Sequence, residues 1–275
     1  MLKCRISKIR IATHFAATML ATSVCFAQTN SPKYHLVWTD EFNYQGLPDS
    51  SKWNYETGKS GWGNDELEDY TGHDTCTASV SNGYLHLSAK KKLISDQPYY
   101  TSARLSTKNK GDWKYGKIEV RAKLPEGRGL WPAIWMMPTS GAYGEWPASG
   151  EIDIMEHVGY NKDSVFGSLH SKTYNHVIGT QKTKGIYIGH PYDVFHVYGL
   201  EWSPEQIHFL VDGKVFYKVA NENKTFAEWP FDKPFHLLLN LAVGGFWGGK
   251  YGVDESVFPA TMLVDYVRVY QAENK

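Results

Sequence analysis

The chain has 275 residues, 29 basic and 29 acidic side chains, a formal net charge of zero and three cysteines. Residues 1–27 hold four of the basic residues and none of the acids, so the other 248 residues carry a net charge of −4. A mildly acidic protein has no electrostatic attraction for nucleic acid or a heavily sulfated polysaccharide. Ten tryptophans and eighteen tyrosines offer flat faces on which the axial C–H groups of sugar rings pack, so the composition suits a neutral sugar.

Residues 1–27 read as a secretory signal peptide. Lys3, Arg5, Lys8 and Arg10 precede a mostly apolar run from Ile11 to Phe26, and Cys25 and Ala27 are the small residues before the cut. Export to the periplasm or the cell exterior is expected. Lipid anchoring at Cys25 is the alternative, poorly served by the Thr-Ser-Val before it. No other stretch is long and apolar enough to span a membrane. Residues 28–275 contain no Ser/Gly/Pro-rich linker and read as one domain, large enough to bury a core without a disulfide. Cys76, the cysteine outside the leader, is expected to be packed or partly covered.

The first strand expected is 34–42, with Glu41 near its end. Residues 60–70, with Trp62, Asn64, Glu66 and Tyr70 among glycines, have the composition of a mobile surface loop. Asn82-Gly83 is a hairpin turn leading into a strand at 84–89. Strands at 101–107 and 116–124 follow, the first carrying Arg104, whose charge needs a partner, the second alternating Ile118, Val120 and Ala122. Trp131 and Trp135 flank a strand at 132–137, at an even spacing that puts both on one face. Phe166, Ser168 and His170 share a face of 165–170. Strands at 195–202 and 206–219 come next, the second folded at Asp212-Gly213, and 226–231 reads as one helical turn. The apolar run 235–243 reads as a strand buried on both faces. It leads into the glycine-rich loop 244–252, which bears Phe246 and Trp247 and lets backbone approach a ligand. A strand at 262–270 closes the chain. About eleven short strands with almost no helical period specify an all-β sandwich or barrel.

Residues 150–159 read Gly-Glu-Ile-Asp-Ile-Met-Glu-His-Val-Gly. Strand alternation sets Glu151 and Asp153 on one face and Ile152 and Ile154 on the other. Unbroken alternation would send Glu156 into the core, where an unpaired carboxylate is expensive. One extra residue, most simply Met155, would bulge the strand and return Glu156 to the side of Glu151. The two Cα atoms would then lie roughly 11–13 Å apart. Their carboxyls could approach to about 5–6 Å, close to the spacing of a retaining glycosidase. Asp153 between them would crowd the charge and separate their pKa values. In that reading one of Glu151 and Glu156 is the nucleophile and the other the acid/base, and Asp153 tunes them. His157 would face away and pack.

This stretch resembles the signature of glycoside hydrolase family 16, in its bulged laminarinase-like form. Five further strings in order carry the resemblance: Trp38-Thr-Asp-Glu-Phe42, Gly61-Trp-Gly-Asn-Asp-Glu-Leu67, Gly129-Leu-Trp-Pro-Ala-Ile-Trp135, Trp146-Pro-Ala-Ser-Gly-Glu151 and Leu239-Asn-Leu-Ala-Val-Gly-Gly245. It implies a jelly roll of two stacked antiparallel sheets with an open concave cleft, which suits attack within a long chain. The implied activity is retaining hydrolysis of internal β-1,3-glucosidic bonds in laminarin-type glucan, with mixed-linkage β-1,3-1,4-glucan as a second substrate. Agar-type galactans belong to relatives with other cleft loops. Trp62, Asn64 and Glu66 are implied contacts on the non-reducing side, and Trp131 and Trp135 floor and wall the subsite beside Glu151. Trp247 is a further candidate contact. Arg104 is placed beside the catalytic carboxylates, though a structural ion pair would also explain it. His170 is placed on the acid/base side, where it could hold the leaving sugar, or it is structural. The resemblance also implies a stabilising Ca²⁺ on the convex face, held by Glu41, the Gly83 carbonyl and Asp265, and no cofactor for catalysis. The expected partner is a β-glucan polysaccharide and the expected state a monomer. The rival readings are a noncatalytic carbohydrate-binding jelly roll, which would not need two positioned glutamates, and a metallohydrolase, for which no His-Glu-x-x-His is present.

Overall fold

The alternation of Ile118, Val120 and Ala122 is realised in the Gly116–Lys123 strand, where buried and half-buried residues alternate along its whole length. The computed structural model describes residues 33–273; the expected signal peptide lies outside them. Residues from Lys33 onward form one unit. Among the described residues there are two 3₁₀ turns, His176–Ile178 and Glu255–Val257, and no α-helix.

The strands form a 10-stranded and an 8-stranded sheet. The central path of the larger runs Lys214–Ala220, Gln206–Val211, His196–Trp202, Gly116–Lys123, Ala260–Ala272, Tyr84–Ile94, Gln97–Ser102, Glu68–Tyr70. The smaller runs Lys182–Tyr187, Ser164–His170, Glu151–Glu156, Leu130–Pro138, Phe235–Val243, Arg104–Ser106, Asn54–Tyr55. Among the described residues every pairing is antiparallel except that of Glu68–Tyr70 with Gln97–Ser102. Inward side chains of both sheets make one core, including Ile118, Val120, Phe209 and Val267 from the larger and Ile134, Ile152, Leu237 and Leu239 from the smaller. All nine residues of Phe235–Val243 are buried, as an uninterrupted apolar run requires of a central strand.

Several expectations change. The described residues form eighteen strands rather than about eleven, Lys182–Tyr187 and the short Asn54–Tyr55 and Glu68–Tyr70 among those added. The strand expected at 101–107 is broken at Ala103: Gln97–Ser102 belongs to the larger sheet and Arg104–Ser106 to the smaller. Ala103 is fully buried at this crossing, small enough to sit where the chain changes sheets. Cys76 is exposed rather than covered, in the turn after Asp74, whose carboxylate accepts its backbone N–H. The helical turn expected at 226–231 is a single one, closed by the Trp229 N–H on the Thr225 carbonyl at 3.0 Å.

The bulge is present. Ile134 pairs with Met155 and Trp135 with Asp153, so Ile154 is the residue without a partner on Leu130–Pro138. On the other side Asp153 pairs with Ser168 and Glu156 with Phe166, leaving Ile154 and Met155 together opposite Gly167. Both side chains are buried in the core. The extra residue is thus Ile154 rather than Met155, and two consecutive apolar side chains turn inward. Gly167 faces inward too: a Cβ there would meet the Phe209 ring at 2.7 Å. The doubled apolar pair therefore lies opposite the one position of the neighbouring strand that has no side chain.

Beyond the bulge, the Gly159 N–H bonds to the Leu130 carbonyl at 2.9 Å, holding the end of the acid-bearing strand to its neighbour. A Cβ on Gly159 would lie 1.7 Å from the Gly127 carbonyl oxygen, a backbone atom that has nowhere to go. Gly159→Ala is expected to lower stability by about 3 kcal/mol or more, as severe overpacking does. Urea unfolding checks it, and an unchanged midpoint would refute this account of the contact.

Candidate active site

The concave face of the smaller sheet holds a cavity of about 610 Å³. Three cross-strand rows make its floor. Ala133 pairs with both Asn240 and Glu156, and Glu156 with Phe166. Trp135 pairs with Asp153, Asp153 with Ser168 and Ser168 with Thr183. Glu151 pairs with His170. Glu151, Asp153 and Glu156 all line the cavity, as do Trp62, Asn64, Glu66, Arg104, Trp131, Trp135, His170 and Trp247.

Each glutamate is held by one tryptophan. The Trp146 indole N–H donates to Glu151 Oε2 at 2.7 Å, and the Trp131 indole N–H donates to Glu156 Oε1 at 3.1 Å. His170 Nε2 lies 3.2 Å from Asp153 Oδ2 and 3.9 Å from Glu151 Oε1. The Glu151 carboxyl is pushed up to about 8 by burial, then by the charge of Asp153; His170 and the Trp146 N–H oppose this. Asp153 is raised by burial. Glu156 is raised well above the usual carboxylate range, by burial first and then by the charges of both Asp153 and Glu151. Glu151 feels chiefly one neighbouring carboxylate and Glu156 feels two. That asymmetry leaves the proton on Glu156 when Glu151 gives its own up.

Opposite the acids, Arg104 is sandwiched between two indoles, its guanidinium 4.6 Å from the Trp62 ring centre and 4.7 Å from that of Trp135. Its Nε donates to Glu56 at 2.7 Å. The ion pair with Glu56, not a contact with the cleft acids, accounts for its charge, and its stacking spaces and stiffens two aromatic walls. A buried chain of hydrogen bonds continues behind it. Trp135 Nε1 donates to Asn240 Oδ1 at 2.8 Å, Asn240 Nδ2 to the Tyr70 hydroxyl at 2.9 Å, and Tyr70 to Glu66 Oε2 at 3.1 Å. Asn64 Nδ2 donates to Glu66 Oε1 at 2.9 Å. Glu66 is buried, so the 60–70 segment is pinned at this point rather than wholly solvated. Glu68, fully buried beside Glu66, accepts the Val243 N–H at 2.6 Å, and its own carboxyl is raised by burial and by Glu66.

His170 stands opposite Glu151, not beside Glu156, where Phe166 sits instead. The antiparallel register across the bulge decides this. His157 is buried with Nδ1 2.8 Å from the Ser164 carbonyl, packed away as expected. Trp146, His176, Phe246 and Asn240 also line the cavity and were missed among the expected contacts. Trp146 lies in one of the quoted strings, five residues before Glu151, and its indole could have been flagged there. His176 comes from a 3₁₀ turn and has no sequence signal.

The expected calcium ligands stand apart from the cleft. Both oxygens of Glu41 accept from Arg268 at 2.8 Å, and Asp265 is ion-paired with Arg121. Each carboxylate is already neutralised by a guanidinium, which is a poor start for a cage of oxygens around a cation.

The family model of glycosyl hydrolases family 16 matches residues 65–268. The chain belongs to that family. It is 51% identical over 248 residues to a Rhodothermus marinus beta-glucanase, covering 88% of this chain and 86% of that one. The solved laminarinase of Rhodothermus marinus superposes with a TM-score of 0.85 at 50% identity, over 88% of this chain and 99% of its own. A mutant of SCLam, a non-specific endo-β-1,3(4)-glucanase, co-crystallized with 1,3-β-D-cellotriosyl-glucose, gives a TM-score of 0.83 at 44% identity, over 88% and 98% of the two chains.

A carboxyl raised on folding stabilises the fold fully below its unfolded pKa, and that contribution is lost as pH rises through the folded value. For Glu151 the window runs from about 4 to about 8. Glu151→Gln mimics the protonated form at every pH, so this variant is expected to melt at least about 2–4 °C above the parent at pH 8, the equivalent of ~1 kcal/mol. The advantage shrinks toward zero near pH 4. Melting curves across that range check both the gain and its sign; a gain that grew in acid would contradict the assigned burial.

Proposed function

We propose that this family 16 hydrolase is a retaining endo-β-glucanase that cleaves internal β-1,3-glucosidic bonds of laminarin-type glucan and accepts mixed-linkage β-1,3-1,4-glucan. The observation that carries the reading is the bulged strand: Glu151 and Glu156 both face one cleft, with Asp153 between them and tryptophans on the floor and walls. The glucanase and laminarinase relatives support the choice of glucan.

Glu151 Oε2 is occupied by the Trp146 N–H, so Oε1 is the oxygen that attacks the anomeric carbon. The glycosidic C–O bond breaks as Glu156 passes its proton to the leaving oxygen, and a glycosyl ester of Glu151 forms. Glu156, now a carboxylate, takes a proton from water. The water oxygen bonds to the anomeric carbon, the ester C–O bond breaks, and Glu151 is released. Asp153 holds Glu151 and keeps the charge of the site high, so that Glu156 recovers its proton after each cycle. Trp131 and Trp135 stack the sugar at the reacting centre, and Trp62, Asn64 and Glu66 bind residues toward the non-reducing end. Two carboxyls and water complete the reaction without a cofactor.

We further infer that residues 1–27 are removed on export and that the mature chain acts as a monomer outside the cytoplasm. Among the described residues no helix is long and apolar enough to cross a membrane. A structural Ca²⁺ at Glu41, the Gly83 carbonyl and Asp265 would need Arg268 and Arg121 to swing away. EDTA lowering the melting temperature, with restoration by Ca²⁺, is the expected sign of it; an unchanged temperature removes the site.

Glu151→Gln and Glu156→Gln are each expected to lose about 10³-fold or more in kcat on laminarin while staying folded, and Asp153→Asn to lose less. Reducing sugar released from laminarin, lichenan, agarose and cellulose should rank laminarin first and lichenan second, with retained anomeric configuration by NMR. Full turnover in either glutamine variant, or glucan bound with no product from the parent, would overturn the assignment.

A further inference from the structure

Glu151, Asp153 and His170 bring one ligand atom each to within 4.8 Å of one another at the bottom of the cleft. Asp153 is 3% and His170 6% exposed. Asp153 Oδ2 has no hydrogen-bond partner among the described residues, although it lies 3.2 Å from His170 Nε2. A buried aspartate and histidine at that distance ordinarily align an N–H on the oxygen. Here they approach without that alignment, and a buried carboxylate oxygen is aimed into the cluster unsatisfied. Trp146 holds the other oxygen of Glu151, which leaves Glu151 Oε1, 3.9 Å from His170 Nε2, pointing the same way.

Two carboxylate oxygens and one imidazole nitrogen, with an open cleft on the remaining side, form the donor set of a three-ligand zinc site. Ligand atoms about 2.0–2.1 Å from a tetrahedral ion lie roughly 3.3 Å from each other. The Asp153–His170 distance already matches that; the Glu151 oxygen, 3.9 Å from His170 Nε2 and within 4.8 Å of the Asp153 oxygen, needs to move in by about 0.5–1.5 Å, which a glutamate side chain does by χ rotation. The imidazole selects Zn²⁺ or Cu²⁺ over Ca²⁺ and Mg²⁺, which take oxygen-only shells.

We propose that the floor of the cleft chelates a divalent first-row transition-metal ion through Glu151, Asp153 and His170, and that the bound ion blocks hydrolysis by occupying Glu151 Oε1. The blocking clause rests on the function proposed above; the binding clause does not. An ion in this position takes the lone pair that attacks the anomeric carbon and sits where the sugar must lie, so metal and glucan exclude each other.

The probe is Zn²⁺, titrated calorimetrically into the protein carrying Cys76→Ser, which removes an exposed thiol that would bind zinc by itself. One saturable site is expected. His170→Gln in the same background should weaken it at least tenfold, the lower bound set by loss of mere outer-sphere partners, and Asp153→Asn should do likewise if the histidine variant fails to fold. With the active protein, Zn²⁺ should inhibit laminarin hydrolysis competitively. Absence of a saturable site, or equal zinc affinity in the folded His170→Gln variant, overturns the inference. The surface pairs His196–Asp212 and His190–Asp163 would survive that substitution and show themselves as the residual binding. A chain that binds zinc but does not cleave glucan would fail the functional reading alone. One that cleaves glucan but binds no zinc would fail this inference alone.

Discussion

The whole site depends on a conflict between two periods. A strand shows alternate faces, but three acids at 151, 153 and 156 cannot share a face under strict alternation. The chain resolves the conflict by burying Ile154 and Met155 in succession, opposite a glycine. Burying two adjacent apolar side chains returns Glu156 to the cleft, where its carboxyl meets an indole N–H and not the hydrocarbon layer. If the strand ran straight, Glu156 would be an unpaired carboxyl in the core and the cleft would hold two acids, not three.

Crowding three carboxyls into a concave, largely dehydrated floor works against stability. Burial raises all of them, and neighbouring carboxylates raise the two glutamates further, so at neutral pH the folded state holds protons that an unfolded chain would release. The surrounding sheet over-determines the arrangement: beyond the neighbouring Leu130–Pro138 strand stands the fully buried Phe235–Val243, and next to that the strand whose Arg104 stiffens the aromatic wall. The same physics sets the two glutamates apart. Both are relieved by His170 and by one indole N–H, but Glu156 faces two neighbouring carboxylates and Glu151 chiefly one. Reactivity and instability at this site come from one cause.

The second acidic pair, Glu66 and Glu68, does a different job. Glu68 is tied to the Val243 N–H at the head of the glycine-rich loop, and Glu66 to Asn64 and Tyr70. Glu66 also bridges to Gly244 through the backbone. These contacts join the 60–70 segment to the end of the central strand, so that wall of the cleft is tied to its floor.

What the chain's own residues determined was the fold class, most of the longer strands and the identity of the acids. These depend on period, turn chemistry and composition, which are local. The need for a bulge was also legible, because a misplaced charge in a core is forbidden on energetic grounds alone. Only the tertiary structure decided which residue is extra, since Ile154 and Met155 are equally apolar and the choice depends on the register of both neighbouring strands. It also decided the change of sheet at Ala103, the exposure of Cys76, the stacking of Arg104 between Trp62 and Trp135, and the place of His170 opposite Glu151. Apart from Cys76, whose exposure follows from how its turn sits on the surface, these depend on segments apart in sequence, and no local pattern encodes which distant partner a side chain will meet.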